Sequence, residues 1–365
     1  MIIRRFAAEN FRNIKKCEIE LSDGVNVLLG DNAQGKTNAV EGMYLFARGR
    51  SFRTSSDADL IKFGETGFRL SLEYSDKTGK QSLEYAYIDG KRLRKKNGYK
   101  VTRVSEMIGG FRAVIFYPDN LGLIKGGPEE RRAFLDVAIA QCHPEYLGYY
   151  GYWRRAQTER NCLLKFMQSG MPVDRRELDS WSASLAEYSS FIQMYRREYV
   201  ERLSVPAADF MADISSGHEN MTLTYSSDIG EEFETREAVR DEYYRIFRSD
   251  TEHEAAAGTT LCGIGRDDLI VSVDGVRMRS FSSQGQQRSA VLSLKLAEGE
   301  VCRMLSGEYP VFLFDDVLSE LDSERRDFVM RRTAGKQVII TSCSGVCGLP
   351  ADARVIRTHG GEFTE

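Results

Sequence analysis

Eight consecutive residues near the start of the chain have the types and spacing of a phosphate-binding loop. Gly30, Asp31, Asn32, Ala33, Gln34, Gly35, Lys36 and Thr37 fit GxxxxGK[ST] at every fixed position. Glycines let backbone N–H groups curl around phosphate oxygens, and a helix start adds a favourable dipole. The sequence therefore predicts a nucleotide site with Lys36 at the β- and γ-phosphates and Thr37 on Mg²⁺. The alternative is a glycine turn that binds nothing.

Two adjacent acids, Asp315 and Asp316, end the apolar run 311–314 much later in the chain. An aspartate at the end of such a strand can hold Mg²⁺ opposite Thr37. The next acid is then placed to orient or deprotonate the attacking water. Acids also cap helices in such places, but the pairing with a phosphate loop favours catalysis. The long separation predicts that a large insertion splits one ATPase core.

A third group of residues could complete the site from another subunit. Ser283-Gln284-Gly285-Gln286 precedes a predicted helix at 289–305 and resembles the signature motif of ABC-type ATPases. In that superfamily the serine contacts the γ-phosphate of the nucleotide held by the partner subunit. The alternative is an ordinary N-cap, a position that serine favours. Ser319-Glu320-Leu321-Asp322 resembles the D-loop of the same superfamily.

The elements that must position these residues predict an α/β fold. The apolar runs 311–314 and 337–341 are typical of central parallel strands, and the short apolar run 24–29 predicts a strand before the glycine loop. Residues 67–104 predict antiparallel hairpins with turns at 76–79 and 89–90, and a further hairpin is predicted at 268–279. Long charged and aromatic segments predict helices within 131–167, 175–203 and 231–247, with helix breakers at Pro144, 170–172 and Pro206.

We therefore predict an ABC-type P-loop ATPase head with an antiparallel β subdomain and an inserted helical arm domain. The head would consist of an N-terminal part, 1–127, and a C-terminal part, 251–365. The arm would occupy 128–250. A helix start at Pro128, with acids at positions 129 and 130 in the first turn, marks the beginning of the arm.

Composition limits the classes of protein that this chain can be. It has 365 residues, 50 Lys+Arg against 54 Asp+Glu and a formal charge of −4. Its pI of 5.8 lies below the value of about 9 often seen in nucleic-acid-binding domains, so any DNA contact must come from a local patch. We find no segment of about 20 apolar residues for a membrane span and no secretory signal. These features predict a cytoplasmic protein with reduced cysteines and no membrane partner.

Several segments resemble the RecF family of bacterial recombination mediators. They are 9–13, 30–38, 49–54, 126–136, 265–269, 283–288, 294–298 and 315–322. The resemblance runs from the first strand to about residue 345. Two segments depart from known patterns. Ile264 and Gly265 stand where the family often has proline and histidine, and no histidine stands at 341–343, where transporter ATPases carry a switch histidine.

The resemblance implies an activity and a set of partners. RecF-like proteins bind ATP and Mg²⁺, form a homodimer around two nucleotides, bind DNA in that state and hydrolyse ATP slowly. With RecO and RecR they help to load RecA on gapped DNA, in recombinational repair, replication restart and the SOS response. For this chain the resemblance thus implies a weak, DNA-stimulated ATPase that clamps duplex or single-strand DNA at gap junctions and associates with the nucleoid.

The resemblance also assigns roles to individual residues. Asp315 becomes the acid on the Mg²⁺ side, and Asp316 the acid that activates water. Ser283 becomes the γ-phosphate contact to the partner subunit, and Asp322 the D-loop acid. Arg12 and Asn13 match an N-terminal motif that approaches the nucleotide in related heads.

A basic segment, 91–103, is the candidate DNA contact because it contains seven basic residues and no acid. The candidate residues are Lys91, Arg92, Arg94, Lys95, Lys96 and Lys100. The alternative is a solvated hairpin tip. Without a helix-turn-helix or zinc-finger pattern, we expect recognition of backbone and shape rather than bases.

Three other functions are less consistent with the sequence. A transporter ATPase subunit would need the switch histidine and a glutamate after Asp315, and both are absent. A nuclease of the related OLD type would need a further carboxylate-rich domain after Asp322, for which we expect no room. A scaffold with structural ATP would not need Lys36, Asp315 and Asp316 together.

Overall fold

The computed structural model describes residues 1–230, 233–343 and 349–364. Its strands are β1 (Ile2–Phe11), β2 (Ile14–Glu20), β3 (Val25–Leu29), β4 (Gly67–Asp76), β5 (Gly79–Ile88), β6 (Lys91–Lys96), β7 (Tyr99–Lys100), β8 (Ala113–Phe116), β9 (Met221–Ser226), β10 (Asp268–Val273), β11 (Val276–Arg277), β12 (Val311–Asp315), β13 (Val338–Ser342), β14 (Arg354–His359) and β15 (Glu362–Thr364). Its helices are α1 (Lys36–Arg48), α2 (Gly122–Lys125), α3 (Pro128–Cys142), α4 (Tyr146–Gln168), α5 (Arg175–Ile214), α6 (Arg236–Ser249), α7 (Thr251–Ala257), α8 (Met278–Phe281), α9 (Gln284–Ser306) and α10 (Ser323–Thr333).

The phosphate loop and the two adjacent acids lie at the ends of strands in a mostly parallel sheet. Its strand order is β15-β14-β3-β13-β12-β8, and only β15 joins antiparallel. Strands β12 and β13 are buried along their whole length, which explains their uninterrupted apolar sequence. The predictions of central parallel strands are therefore confirmed. Because parallel strands end at the same edge, the loops after β3, β13 and β12 meet there.

A second, antiparallel sheet has the order β2-β1-β4-β5-β6-β7, as the hairpin pattern predicts. Alternate residues of its strands point into the core, including Phe68, Leu70, Leu72 and Tyr74 of β4. Helix α1 packs against β1 through Gly42, where an added Cβ would lie 2.7 Å from Cζ of Phe6. This close approach requires glycine and fixes the helix that follows the phosphate loop. The predicted fold class is confirmed.

The chain divides into two compact units with boundaries that differ from the predicted ones. The head unit comprises Met1–Gly122, Pro206–Asn220 and Ser282–Glu365, and the arm unit comprises Leu123–Val205 and Met221–Phe281. Residues 251–281, which we predicted in the head, belong to the arm unit because β10 pairs with β9 and β11 in a separate sheet. Residues 206–220, predicted in the arm, belong to the head unit.

Several predicted helices have different ends, among them α9, which begins at Gln284 rather than at the predicted residue 289. Helix α5 continues through Pro206 to Ile214, whereas the sequence predicted its end near Leu203. The predicted helix at 231–247 begins at Arg236, and Glu231 lies outside the described residues. In the described ranges, no helix combines the length and the apolar character that a membrane span requires.

A buried ion-pair network holds the arm unit together. The guanidinium of Arg196 donates two hydrogen bonds to Asp136, of 2.9 and 3.0 Å. It also donates to the carbonyl oxygen of Ile264 at 2.8 Å and to Asp267 at 3.3 Å. Tyr225 donates to the same carboxylate. The side chains of Arg196 and Asp267 are almost completely buried, so each needs its partners to remain charged.

The same network joins two segments that resemble the RecF family, 126–136 and 265–269. Arg131 forms a two-pronged ion pair with Asp268, with distances of 2.6 and 2.9 Å. Arg132 donates to the carbonyl oxygen of Asp267 at 2.9 Å. The loop that departs from the family at Ile264 and Gly265 thus packs inside the arm unit, where its acids serve structural ion pairs.

Candidate nucleotide-binding site

The phosphate-loop residues occupy the turn between β3 and α1. Helix α1 begins at Lys36, directly after Gly35, whose φ of 108° lies in a region that favours glycine. Position 30 also requires glycine, because the Cβ of any other residue would lie 2.3 Å from the carbonyl oxygen of Thr358. The result is the strand–loop–helix context in which backbone N–H groups can bind phosphate.

The side chain of Lys36 lies inside this loop. Its Nζ donates to the carbonyl oxygens of Gly30 at 2.6 Å and Asp31 at 2.7 Å, and the residue is 4% exposed. The ammonium is thereby held where phosphate oxygens could replace the two carbonyl groups as acceptors.

Residues distant in the sequence meet beside Thr37. Its Oγ1 donates to Oδ1 of Asp315 at 2.8 Å, and Oγ1 of Thr341 donates to the same atom at 2.9 Å. Burial raises the pKa of Asp315, and the two threonine hydrogen bonds oppose that rise. A hydroxyl and a carboxylate are the hard oxygen ligands that Mg²⁺ prefers, so Thr37 and Asp315 fit this ion.

Asp316 has an unusual backbone conformation for a residue with a side chain. Its φ is 54°, in the left-handed region that aspartate tolerates better than most residues. Its N–H donates to Oγ1 of Thr341 at 2.9 Å, which anchors the turn after β12. Such conformations concentrate at functional sites.

Cys343 stands directly after β13, where transporter ATPases carry a switch histidine. Its Sγ donates to Oδ1 of Asn32 at 2.8 Å, and Nζ of Lys36 donates to Sγ at 3.6 Å. The thiol therefore belongs to the wall of the phosphate loop.

Asn13 and Arg12 have different surroundings. Nδ2 of Asn13 donates to the carbonyl oxygen of Ala33 at 2.8 Å, so Asn13 contacts the phosphate loop. Arg12 instead forms a two-pronged ion pair with Glu41 of α1, at 2.8 and 3.0 Å, and donates to the carbonyl oxygen of Asp59. In this structure Arg12 supports α1, and its approach to the nucleotide remains a prediction.

Glu41 is a site-supporting residue that the sequence reasoning missed. Its side chain is completely buried and accepts hydrogen bonds from Arg12, Ser51 and Arg53. It thereby ties two of the RecF-like segments, 9–13 and 49–54, to the helix after the phosphate loop. A glutamate in a predicted helix does not indicate burial. The arginines in the RecF-like segments 9–13 and 49–54 could have suggested that one acid pairs with both segments.

Ser283 caps helix α9 and is exposed. Its Oγ accepts from the backbone N–H of Gln286 at 3.2 Å, and its own N–H donates to Oε1 of that residue at 2.9 Å. This is the capping function that the alternative interpretation requires. The hydroxyl is only an acceptor in the cap, so its hydrogen can still be donated to a ligand.

Asp322 caps helix α10 and is linked to the signature helix. It accepts from the N–H of Arg325 at 2.9 Å, and this hydrogen bond lowers the pKa of Asp322. The guanidinium of Arg325 also pairs with Asp322 and donates to Oγ of Ser289 at 3.0 Å. Arg288 of α9 donates to the carbonyl oxygen of Glu320 at 2.9 Å. The predicted signature and D-loop segments therefore lie side by side.

The candidate DNA residues fall into two groups. Arg92 pairs with the buried Asp57, Lys95 pairs with Glu84 at 2.9 Å, and Arg94 lies over the ring of Tyr85 at 5.3 Å. Lys96 is half-buried.

Lys91 and Lys100, in contrast, are exposed, as is Tyr99 beside them. Within the described ranges no ion pair occupies either lysine. Arg92, Arg94 and Lys95 thus interact with other side chains of the protein, whereas Lys91 at the start of β6 and Lys100 in β7 face solvent or a partner.

Comparisons with known proteins agree over almost the entire chain. The family model described as the RecF/RecN/SMC N terminal domain matches residues 2–353. A DNA replication and repair protein RecF from Acetivibrio thermocellus is 36% identical over 346 residues, which cover 93% of each chain. The RecF protein of Bacillus cereus strain G9842 is 36% identical over 367 residues, which cover 99% of this chain and 98% of the relative.

Solved structures agree with the sequence comparisons. A structure described as the recombination mediator protein RecF with ATP in the RecFOR pathway superposes with a TM-score of 0.92 at 32% identity, covering 99% of this chain and 96% of the other. The head of an SMC protein bound to the C-winged helix domain of ScpA shares only the fold, with a TM-score of 0.56 at 16% identity and coverage of 100% and 97%.

Proposed function

The chain belongs to the RecF family, and on this basis we propose that it is an ATP-controlled DNA-binding ATPase of replication and recombinational repair. The observation that carries the proposal is the 2.8 Å hydrogen bond from Thr37 to Asp315, beside the buried ammonium of Lys36. These are the groups that an ATPase needs around the phosphates and Mg²⁺.

Each residue of this site has a proposed task. Backbone N–H groups of residues 30–37 and Lys36 bind the phosphate oxygens. Thr37 and Asp315 hold Mg²⁺, which neutralises phosphate charge when it is bound. Asp316 orients or deprotonates the attacking water. With Cys343 at the place of a switch histidine, we expect slow hydrolysis.

The nucleotide site is completed by a second copy of the chain. Ser283 and Asp322 lie on adjacent segments that Arg325 and Arg288 hold together. We propose that this pair of segments reaches the γ-phosphate and phosphate loop of the partner head. ATP would then hold two heads together, and slow hydrolysis would release them.

The dimer also accounts for DNA binding by a chain of negative charge. Two heads joined by ATP would present two copies of Lys91 and Lys100 to one DNA. We propose that such a clamp binds duplex or single-strand DNA at gap junctions, acts with RecO and RecR in loading RecA, stimulates the weak ATPase and associates the protein with the nucleoid.

Charge reversal of both exposed lysines, Lys91→Glu with Lys100→Glu, should weaken ATP-dependent DNA binding and leave ATP binding unchanged. Because the dimer presents two copies of each lysine, losing one phosphate contact per lysine would reduce the slope of log affinity against log salt by roughly four. Fluorescence anisotropy with a gapped duplex at several salt concentrations, with and without ATP, measures both quantities.

The matched control is Lys15→Glu with Lys16→Glu, which makes the same charge change on exposed residues of β2, at the opposite edge of the same sheet. Equal loss of DNA affinity in the two double variants would show a net-charge effect and remove the proposed interface. If the wild type binds DNA with the same affinity with and without ATP, the proposed clamp is contradicted.

A further inference from the structure

The turn between the last two strands touches the phosphate loop. The N–H of Gly361 donates to the carbonyl oxygen of Gln34 at 3.0 Å, and the N–H of Gly360 donates to Oε1 of the same residue. Gln34 is one of the variable positions of the GxxxxGK[ST] pattern. Its side chain therefore serves as an attachment point for the C-terminal hairpin.

Strand β14, which leads into that turn, runs beside the strand that leads into the phosphate loop. The two pair in parallel, with Arg357 opposite Leu29. Just beyond this pair, the carbonyl oxygen of Thr358 approaches Gly30 so closely that a Cβ there would lie 2.3 Å away. The first glycine of the phosphate loop is thus fitted against the C-terminal hairpin.

Asn13 supports the loop from another direction, and it also contacts the hairpin turn. Its Nδ2 donates to the carbonyl oxygen of Ala33. A Cβ added to Gly361 would lie 3.1 Å from the carbonyl oxygen of Asn13 and 3.3 Å from Cα of Ile14. The turn after β1, the phosphate loop and the turn after β14 therefore interlock.

We propose that Gly361 is a positioning residue for the nucleotide site, and that the hairpin β14–β15 holds the phosphate loop in its binding conformation. The inference rests on the proposed function of residues 30–37. A glycine-containing loop loses much conformational entropy on ordering. A loop already held by Asn13 and Gly361 avoids part of that cost when ATP binds, which increases affinity.

The test is Gly361→Ala, which adds one methyl group against Asn13 at a φ of 85°. The methyl group should displace Asn13 and, through it, the carbonyl group of Ala33. We expect the dissociation constant for ATP to rise about tenfold, equivalent to ~1.4 kcal/mol. Isothermal titration measures affinity, and thermal unfolding monitored by circular dichroism measures stability.

Gly335→Ala is the matched control. Gly335 has a similar φ of 74°, but its added Cβ meets nothing within 4 Å. This variant carries the same type of backbone strain and should bind ATP as the wild type does. If Gly361→Ala does not fold, Gly361→Asn replaces it, because asparagine tolerates positive φ better while it places the same Cβ.

The ATP-binding and melting measurements test the inference and the proposed function separately. Weaker ATP binding in the Gly361 variant, at a melting temperature equal to that of the Gly335 variant, supports the positioning role. Wild-type affinity in both variants overturns it and leaves the proposed function intact. A wild-type protein that does not bind ATP overturns the proposed function, and the inference falls with it.

Discussion

Replacing Lys36 with alanine is expected to weaken ATP binding on the order of a hundredfold, or ~2.7 kcal/mol. The ammonium is held inside the phosphate loop by carbonyl oxygens of Gly30 and Asp31. It is therefore preorganised for the charge-assisted hydrogen bonds that phosphate oxygens accept. Isothermal titration with Mg²⁺ and ATP measures the loss directly.

Lys80→Ala provides the control because it removes one exposed lysine at the start of β5. It should bind ATP as the wild type does. Unchanged affinity in Lys36→Ala, in a protein with the wild-type melting temperature, would show that the loop is a structural turn.

Replacing Arg196 with alanine is expected to destabilise the arm unit by about 3–5 kcal/mol, because it leaves a buried carboxylate without its cation. Asp267 would lose the ion pair at 3.3 Å, and Asp136 both of its hydrogen bonds from Arg196. The two tryptophans of the chain, Trp153 and Trp181, both lie in the arm unit. Urea unfolding monitored by tryptophan fluorescence therefore reports on this unit.

The loss of stability caused by Arg196→Ala should be larger at high pH than at low pH. Burial raises the pKa of Asp267, and Arg196 opposes the rise. Without Arg196 the pKa rises further, whereas in the unfolded chain it stays at about 3.9. A raised folded-state pKa costs stability as pH increases above the unfolded value. Arg196→Ala should therefore lose less stability at pH 5 than at pH 8.

Arg202→Ala is the control for this pair of measurements. Arg202 lies on the same helix, in an exposed pair with Glu198. An exposed pair of this type contributes about 0.5 kcal/mol or less. Similar free energies of unfolding for the two variants would contradict the structural role of the buried network.

The sequence predicted the phosphate loop and its strands because their signals are local. A glycine pattern between an apolar run and a helical pattern needs no knowledge of the rest of the chain. The same holds for β12 and β13, whose burial on both faces requires apolar residues throughout. The division into units was less predictable because β10 belongs with β9, which lies before α6 and α7 in the chain.

Contacts made through buried charges and carbonyl oxygens could not be predicted. Glu41 and Asp267 have the same chemical character as exposed acids, and only the fold shows that Glu41 pairs with Arg12 and Arg53 and that Asp267 pairs with Arg196. The sequence around Gly361 did not predict a contact with the phosphate loop either, because Gly361 meets backbone atoms of Gln34 and Asn13. For the basic segment, the period of two along β6 could have warned that Arg92 and Arg94 share a face with each other and not with Lys91.

The central claim, an ATP site completed by a second head, is tested most directly by sedimentation of the wild type and of Ser283→Arg with Mg²⁺ and ATP. Ser283 caps α9, and the hydrogen bonds that the described structure gives its side chain and N–H are with Gln286 of the same helix rather than with the phosphate loop, so we expect the substitution to leave ATP binding by the single chain intact. We expect the wild type to double its mass from 41.3 kDa only with ATP, and the variant to bind ATP but remain monomeric. If both proteins dimerise equally, or neither does, Ser283 is only a helix cap and the claim is wrong.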